Sequence, residues 1–334
     1  MHGPSVTTAP TSDPADADAP TVAPGGGASP AGDAPPRSAP GEGSRPDTPE
    51  LLGPDSIMWD VTGNTMGLAT TASAFVLQVM HPTIGAAVER HSVYRTDPQG
   101  RAQRSLDSVM LWIYGGQAAI EEGERLRRLH APIKGTDEQG RRYSALNAEA
   151  YTWVHGTAFA ATVTSWPYVK GRPMTDAEQD QLYEEILKLG DILQVPRRFM
   201  PPTREAYWAY YEEMIRDRLE PHAVARYLVG DGLHLPAPSF VPRALRPLWT
   251  PVEQTVAHLA YLMTVGFMPA DAREKLGLAW TARQDRELAL MFAIARPVHR
   301  RLPERLRYFP LAAAARRKAR ELAKIRGRAL SSFV

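Results

Sequence analysis

From Leu51 onward, apolar residues recur at the spacing of an α-helix, which limits the chain to helical folds. Residues 175–193, "TDAEQDQLYEEILKLGDIL", illustrate this pattern, with Thr175 or Asp176 as a suitable N-cap. Four aliphatic side chains then share one face: Leu182, Ile186, Leu189 and Leu193. Such a segment must bury that face against other helices, so the chain needs a multi-helix core.

Capping residues, glycines and prolines predict further helices along the chain. One begins at Asp97 and ends at Gly115, and the next covers residues 117–130. Another begins at Asn147 and ends before Pro167. We find no strand-like alternation of useful length and no Gly-rich phosphate loop. The sequence therefore predicts an all-α fold, a single multi-helix domain.

Composition excludes several classes of chemistry. The chain has 334 residues and no cysteine, which excludes disulfides, thiolate nucleophiles, iron–sulfur clusters and thiolate-ligated haem. Its 39 Lys and Arg residues nearly balance its 37 Asp and Glu residues, so we expect no nucleic-acid partner. A metal site would have to use His, Asp, Glu or Tyr.

The two ends of the chain differ in composition from its middle. Residues 1–48 are rich in Pro, Ala and Gly, which predicts a disordered tail, and they lack the pattern of an export signal. We therefore expect a cytoplasmic location. The main domain is predicted over residues 49–310, and a basic helix over residues 311–334. That helix suits either weak contact with an anionic membrane surface or packing on the domain.

His130 lies in the last turn of its predicted helix, within "RLRRLHAPIKG". Ala119, Gly123 and Leu126 share its face, and two of these are small, which predicts room for a flat ligand beside the imidazole. The alternative is a histidine that favours the negative end of the helix dipole and is hydrogen-bonded to water or to carbonyl groups.

Three further histidines lie in apolar surroundings. His155 shares a helical face with Tyr151, and His81 and His91 bracket a short helix in "HPTIGAAVERHS". Each has a structural alternative as a hydrogen-bonded core residue. Four histidines without cysteine or a carboxylate cage suit haem better than zinc or a di-iron centre.

The segment "RAQRS" forms a second group of polar residues. Arg101, Arg104 and Ser105 fall on one face of the helix that starts at Asp97. This face suits either a specific anionic or oxygen ligand or plain contact with solvent. Arginines near a helix N-terminus oppose the helix dipole, which favours a specific partner slightly.

These residues carry a resemblance to a known family. The segments "LQVMHPTIGAAVERHSVYRTDPQGRAQRSLDSVMLWIYG" and "RLRRLHAPIKGTDEQGRRYSALNAEAYTWVHGT" look like the actinobacterial branch of the MpaB-type oxygenases, over residues 50–300. That family is related to the rubber oxygenase called latex-clearing protein. The resemblance implies haem b in an all-α, globin-like core, with dioxygen used to oxidise or cleave an alkene.

The resemblance also implies roles for individual residues. "RRLHA" matches the Arg-x-x-His-Ala context of the proximal haem ligand, which implies that role for His130. "RAQRS" matches the distal Arg-x-x-Lys-Thr pattern at Arg101, Arg104 and Ser105, with Arg in place of Lys and Ser in place of Thr. Glu89 is the counterpart by spacing of a glutamate base. This branch carries "WVH" where the rubber enzyme has no matching histidine, so the rival or second ligand is His155.

The predicted function is a haem b-dependent oxygenase acting on a small, unsaturated, hydrophobic substrate. Trp112, Phe75 and Phe159 are the predicted lining of its apolar pocket. Two alternatives remain: a haem-binding or sensor protein without turnover, which would fill both axial positions with His130 and His155, and a helical interaction protein without a cofactor.

Overall fold

Amphipathic segments bounded by capping residues form helices along most of the chain. The computed structural model describes residues 48–68, 70–234, 237, 241–242 and 246–331, which all belong to one compact unit. Residues 1–47 of the predicted disordered tail lie outside the described residues.

The regular structure of the described residues consists of fifteen α-helices, one short hairpin, two 3₁₀ segments (Arg197–Phe199 and Asp231–Leu233) and one π-helical segment (Met214–Arg218). In chain order the helices before the hairpin are α1 (Ile57–Val61), α2 (Thr65–Leu68), α3 (Ala72–Val79), α4 (Pro82–His91), α5 (Pro98–Tyr114) and α6 (Ala118–His130). The hairpin strands are β1 (Lys134–Thr136) and β2 (Arg142–Ser144). After the hairpin follow α7 (Ala148–Lys170), α8 (Asp176–Ile192), α9 (Arg204–Glu213), α10 (Ala223–Val229), α11 (Arg246–Val265), α12 (Ala270–Lys275), α13 (Ala282–Arg301), α14 (Glu304–Arg307) and α15 (Pro310–Ser331).

The predicted capping residues start their helices as expected. The Asp97 side chain accepts a hydrogen bond from the amide of Gly100 at the start of α5, and Asn147 caps α7 in the same way. Thr175 and Glu178 form a reciprocal capping box at the start of α8. These bonds satisfy amide groups that the first turn of a helix leaves unpaired.

Two features differ from the sequence predictions. The helix α7 continues through Pro167 and ends at Gly171, whose φ of 83° is a left-handed conformation that glycine adopts without strain. Tyr168 packs edge-on against Phe267 and Phe292, so tertiary contacts hold the last turn in place. The antiparallel hairpin was not predicted, because three-residue strands are too short to show alternation.

The longest helix, α7, lies at the centre of the domain and packs on α3, α8 and α13. One side of it belongs to what we call the aromatic core, which consists of Trp153, Phe159, Tyr183, Tyr207 and Tyr211. The ring of Phe159 lies 4.8 Å from that of Tyr207 and 5.2 Å from that of Tyr183. The all-α, single-domain prediction is therefore confirmed, while the globin-like character of the core stays a prediction.

The basic C-terminal helix is partly docked. The first turns of α15 bury Ala312 and Ala313, and Arg316 reaches the carboxylates of Asp60 and Glu304. Residues 321–326 are all exposed. No helix of the described residues combines the length and apolarity needed to cross a membrane.

Candidate functional site

The helices α5 and α6 pack antiparallel, so the N-terminal end of α5 lies beside the C-terminal end of α6. The connection turns at Gly116, whose φ is 59°, and α5 packs along α6. The buried Ser108 hydroxyl donates to Glu122 at 2.5 Å, which fixes the register of the two helices. In that register the first turns of α5, with Arg101, lie level with the last turn of α6, with His130.

His130 is half-buried, and its Nδ1 atom is buried without a hydrogen-bond partner. The ring of Tyr151 on α7 meets the imidazole edge-on, with 6.1 Å between centroids. Burial lowers the pKa of His130, and the charge of Arg125 lowers it further. The ring is therefore neutral at pH 7 and carries an uncommitted nitrogen, which is the state in which histidine ligates metals.

Arg101 is the half-buried cation at the same end of the α5–α6 pair. Its guanidinium lies over the ring of Phe75, 4.3 Å from the centroid, and its Nε atom donates to the Ser92 hydroxyl at 2.7 Å. Burial, assisted by the charge of Arg104, lowers the pKa of Arg101, but a guanidinium stays protonated in proteins. A positive charge is therefore held at this end by a ring and a hydroxyl.

The other members of the predicted distal group lie in contact with solvent. Arg104 is exposed and pairs with Asp97 at 3.1 Å, and Ser105 is also exposed. Glu89 is exposed as well, with its nearest carboxylate oxygen 3.7 Å from Nε2 of His222. Of the four predicted catalytic residues, the structure brings only Arg101 to a half-buried position.

His81 and His91 occupy different environments. His81 is buried, neither of its ring nitrogens forms a hydrogen bond, and its Nε2 atom lies 3.7 Å from Glu149. Glu149 in turn binds Arg218 at 2.6 Å, a pair that no sequence motif indicated. His91 is exposed, and its Nε2 atom lies 3.1 Å from the Tyr143 hydroxyl, so it connects α4 to β2.

His155 is a hydrogen-bonded residue of the protein core. Its Nε2 atom lies 2.5 Å from the carbonyl oxygen of Ile186 on α8, and Gly190 packs against the ring. Burial lowers the pKa of His155 to about 4. The ring is therefore neutral with its proton on Nε2, and this atom could ligate iron only after the bond to Ile186 is broken.

Partly exposed apolar side chains lie beside His130 and Arg101, since Phe75 contacts Arg101 and Tyr151 contacts His130. We call this group the α5–α6 end, and its members are Phe75, Arg101, Leu126, His130 and Tyr151. The apolar members pack on the main core but stay partly exposed. Trp112, a predicted pocket residue, lies instead near the opposite end of α5, two residues before Tyr114.

Two predictions about the room beside His130 are wrong. Ala119 is fully buried, and a Cβ atom on Gly123 would collide with the carbonyl oxygen of Ile192, because α6 packs closely on α8 there. The small residues of α6 therefore serve helix packing. Phe159, a predicted pocket residue, is fully buried in the aromatic core. The partly exposed apolar surface lies instead towards Phe75 and Tyr151.

The residues at this end fit haem better than a bare metal ion. The described residues contain no cluster of three or more His, Asp or Glu side chains that could hold an ion. A haem iron needs only one protein ligand, since the porphyrin supplies four nitrogens. His130, with an unpartnered Nδ1 atom and the partly exposed ring of Tyr151 beside it, has the chemistry that such a ligand would need.

Comparison with known proteins identifies the family. Two relatives, the uncharacterized protein Mb2261 of Mycobacterium bovis and the uncharacterized protein Rv2237 of Mycobacterium tuberculosis, are each 27% identical over 177 residues. The match covers 53% of this chain and 64% of each relative. No solved structure matches the chain significantly. The profile described as "ER-bound oxygenase mpaB/B'/Rubber oxygenase, catalytic domain" matches residues 59–297, and the chain therefore belongs to that family.

Proposed function

We propose that this chain is a haem b-dependent oxygenase that oxidises or cleaves an unsaturated hydrophobic substrate. Family membership supports an oxygenase, and the observation that carries the haem assignment is the neutral, unpartnered imidazole of His130. A buried ring nitrogen without a hydrogen bond costs about 1–3 kcal/mol, so a ligand on Nδ1 of His130 would remove that cost. His81 is also buried and unpartnered, and the "RRLHA" context is what favours His130 over it.

His130 would hold the haem iron, and haem would supply the activation of dioxygen. Arg101 contributes a fixed positive charge at the same end of the α5–α6 pair. It is held by Phe75 and Ser92, so it need not reorganise when negative charge develops on an oxygen atom nearby. Phe75 and Tyr151 offer the apolar surface for the hydrocarbon part of the substrate. Roles for Arg104, Ser105 and Glu89 remain predictions from the family pattern.

A sensor that fills both axial positions with His130 and His155 is the second candidate. The bond from His155 to the Ile186 carbonyl opposes it, because ligation of iron by Nε2 would require that buried hydrogen bond to break. A cofactor-free interaction protein provides no ligand for the buried Nδ1 atom of His130. Residues 321–326 of α15 are exposed, as an interaction helix or a membrane-contacting helix would require.

Reconstitution with hemin tests the proposal. We expect a Soret band with one-to-one stoichiometry, and dioxygen consumption with an unsaturated hydrocarbon and an external reductant. Arg101→Ala should retain the band but lose about 10²–10³-fold in oxygen consumption. Arg283→Ala, a change at an exposed arginine of α13 that pairs with Glu287, is the control and should lose much less. A protein that takes up no hemin would overturn the proposal.

A further inference from the structure

The helix α13 exposes an apolar stripe on the surface of the domain. Its aliphatic side chains at every fourth position are exposed: Leu290 is 61% exposed, Ile294 is 60% exposed and Val298 is 56% exposed. Ala289, Ala293 and Pro297 between them are exposed as well. Residues 288–295 contain no charged side chain, and Arg296 turns away to the carbonyl of Tyr168.

A neighbouring helix carries a second exposed stripe. Val252, Val256 and Leu259 of α11 are 49%, 40% and 37% exposed. The helices lie side by side, since Leu262 of α11 and Leu288 of α13 share one buried cluster. Large exposed apolar patches are rare on monomeric proteins and mark surfaces that bind a partner.

Arginines flank both ends of the α13 stripe. Arg286 lies towards its start, and Arg300, Arg301 and Arg305 lie at or beyond its end, all of them exposed. Among the described residues none of these four forms an ion pair with a carboxylate. Glu287, an acid near the start of the helix, is paired with both Arg283 and His258. Asp285 beside Arg286 is exposed, accepts a hydrogen bond from the Trp280 indole and forms no ion pair among the described residues. The unpaired charge around the stripe is therefore mainly positive.

We propose that the α13 stripe docks on an anionic lipid surface, with the aliphatic side chains at the acyl boundary and the arginines among the phosphates. Apolar side chains bordered by arginines match the layered chemistry of a membrane interface. A symmetric dimer fits less well, because both ends of the stripe carry arginines and either pairing of two α13 helices brings arginine near arginine.

This surface differs from the basic helix α15. The exposed part of α15 offers only Leu322 and Ile325 as large apolar side chains among its described residues, interrupted by charged positions. Arg320 is already paired with Glu304 at 2.6 Å. The contact is peripheral, and it does not depend on whether haem binds at His130.

Co-sedimentation of the full chain with vesicles tests the proposal. We expect binding to phosphatidylcholine vesicles that contain phosphatidylglycerol, weaker binding without it, and weaker binding at high salt. Ile294→Glu should reduce the vesicle affinity about tenfold or more. Ile325→Glu on α15, a matched change at a side chain that is 53% exposed, should leave affinity nearly unchanged. Both sites are exposed, and thermal unfolding checks that each variant is folded.

A second variant tests the charges alone. Arg286→Glu with Arg301→Glu should also lower the affinity about tenfold, and only for vesicles that contain phosphatidylglycerol. Three results would overturn the proposal. These are no binding to either vesicle, loss of binding in Ile325→Glu with none in Ile294→Glu, or a stable dimer that Ile294→Glu converts to a monomer.

Discussion

The aromatic core and the α5–α6 end both include residues of α7, but the histidines of the two regions are paired differently. Beside the aromatic core, His155 bonds to Ile186, and the Tyr207 hydroxyl donates to the Gly156 carbonyl at 2.7 Å. At the α5–α6 end, the Nδ1 atom of His130 is buried without a partner. The two histidines share chemistry and differ only in surroundings.

We infer from this difference that His155 stabilises the fold, whereas His130 is available to bind a ligand. A buried polar group with a hydrogen bond contributes to a unique core, whereas one without a partner costs free energy in the protein alone. The half-buried rings around His130 add to the contrast, since the aromatic core covers its rings almost completely. Because His81 is also buried without a hydrogen bond at either ring nitrogen, our proposal for the α5–α6 end rests on the family motif around His130 together with its unpaired nitrogen.

The largest expected effect compares one substitution in the two regions. Phe159→Ala removes a fully buried ring and should lower the free energy of unfolding by about 3–5 kcal/mol. Phe75→Ala removes a half-buried ring and should lower the free energy of unfolding by about 1 kcal/mol. It should also weaken hemin uptake more than Phe159→Ala does. Urea unfolding measures the free energy of unfolding, and hemin titration measures the uptake of hemin. Equal losses of unfolding free energy in the two variants would contradict the difference in burial.

Acid stability should reveal the burial of His155. Because the pKa of His155 is about 4 in the folded chain and 6.5 in the unfolded chain, the unfolded state binds more protons between these values. The free energy of unfolding should therefore fall as the pH drops from 6.5 to 4. The contribution of His155 to this fall is up to about 1.4 kcal/mol per pH unit. Above pH 6.5, His155 should not affect the pH dependence.

The matching variant is His155→Gln, which has no proton to gain in this range. Urea unfolding at several pH values between 4 and 7 should give it a shallower dependence than the parent protein. Parallel curves would show that His155 is not buried as described.

The smallest effect concerns the register of α5 and α6. Ser108→Ala removes the buried bond to Glu122 and should lower the free energy of unfolding by about 1 kcal/mol. Ser105→Ala, three residues earlier on the same helix and exposed, should change it by less than about 0.5 kcal/mol. Thermal unfolding of the pair checks this, and a larger cost at Ser105 would contradict the register.

The sequence predicted the helices well where local signals define them. Asp97, Asn147 and Thr175 cap their helices as expected, because a cap depends on residues three or four positions apart. The end of α7 was misplaced, since the packing of Tyr168 against distant rings outweighs the local effect of Pro167. Contacts between distant segments leave no such local pattern.

The sequence indicated which residues belong to the candidate site, but not how their side chains pack in space. The motifs pointed to His130 and Arg101, and the antiparallel pairing of α5 and α6 places them at one end. Spacing on α6 alone suggested room beside Gly123, yet that face packs against the carbonyl of Ile192. Likewise, nothing local to "WVH" indicated that Ile186 on α8 accepts a bond from His155.

The visible absorption spectrum of hemin-reconstituted His130→Ala tests the central claim most directly. We predict that the Soret band is lost or greatly weakened and that added imidazole restores it, while His155→Gln keeps the band of the parent protein. Thermal unfolding of each variant confirms that it is folded. If His130→Ala binds hemin with a normal content and spectrum while His155→Gln does not, then His155 is the ligand and our assignment is wrong.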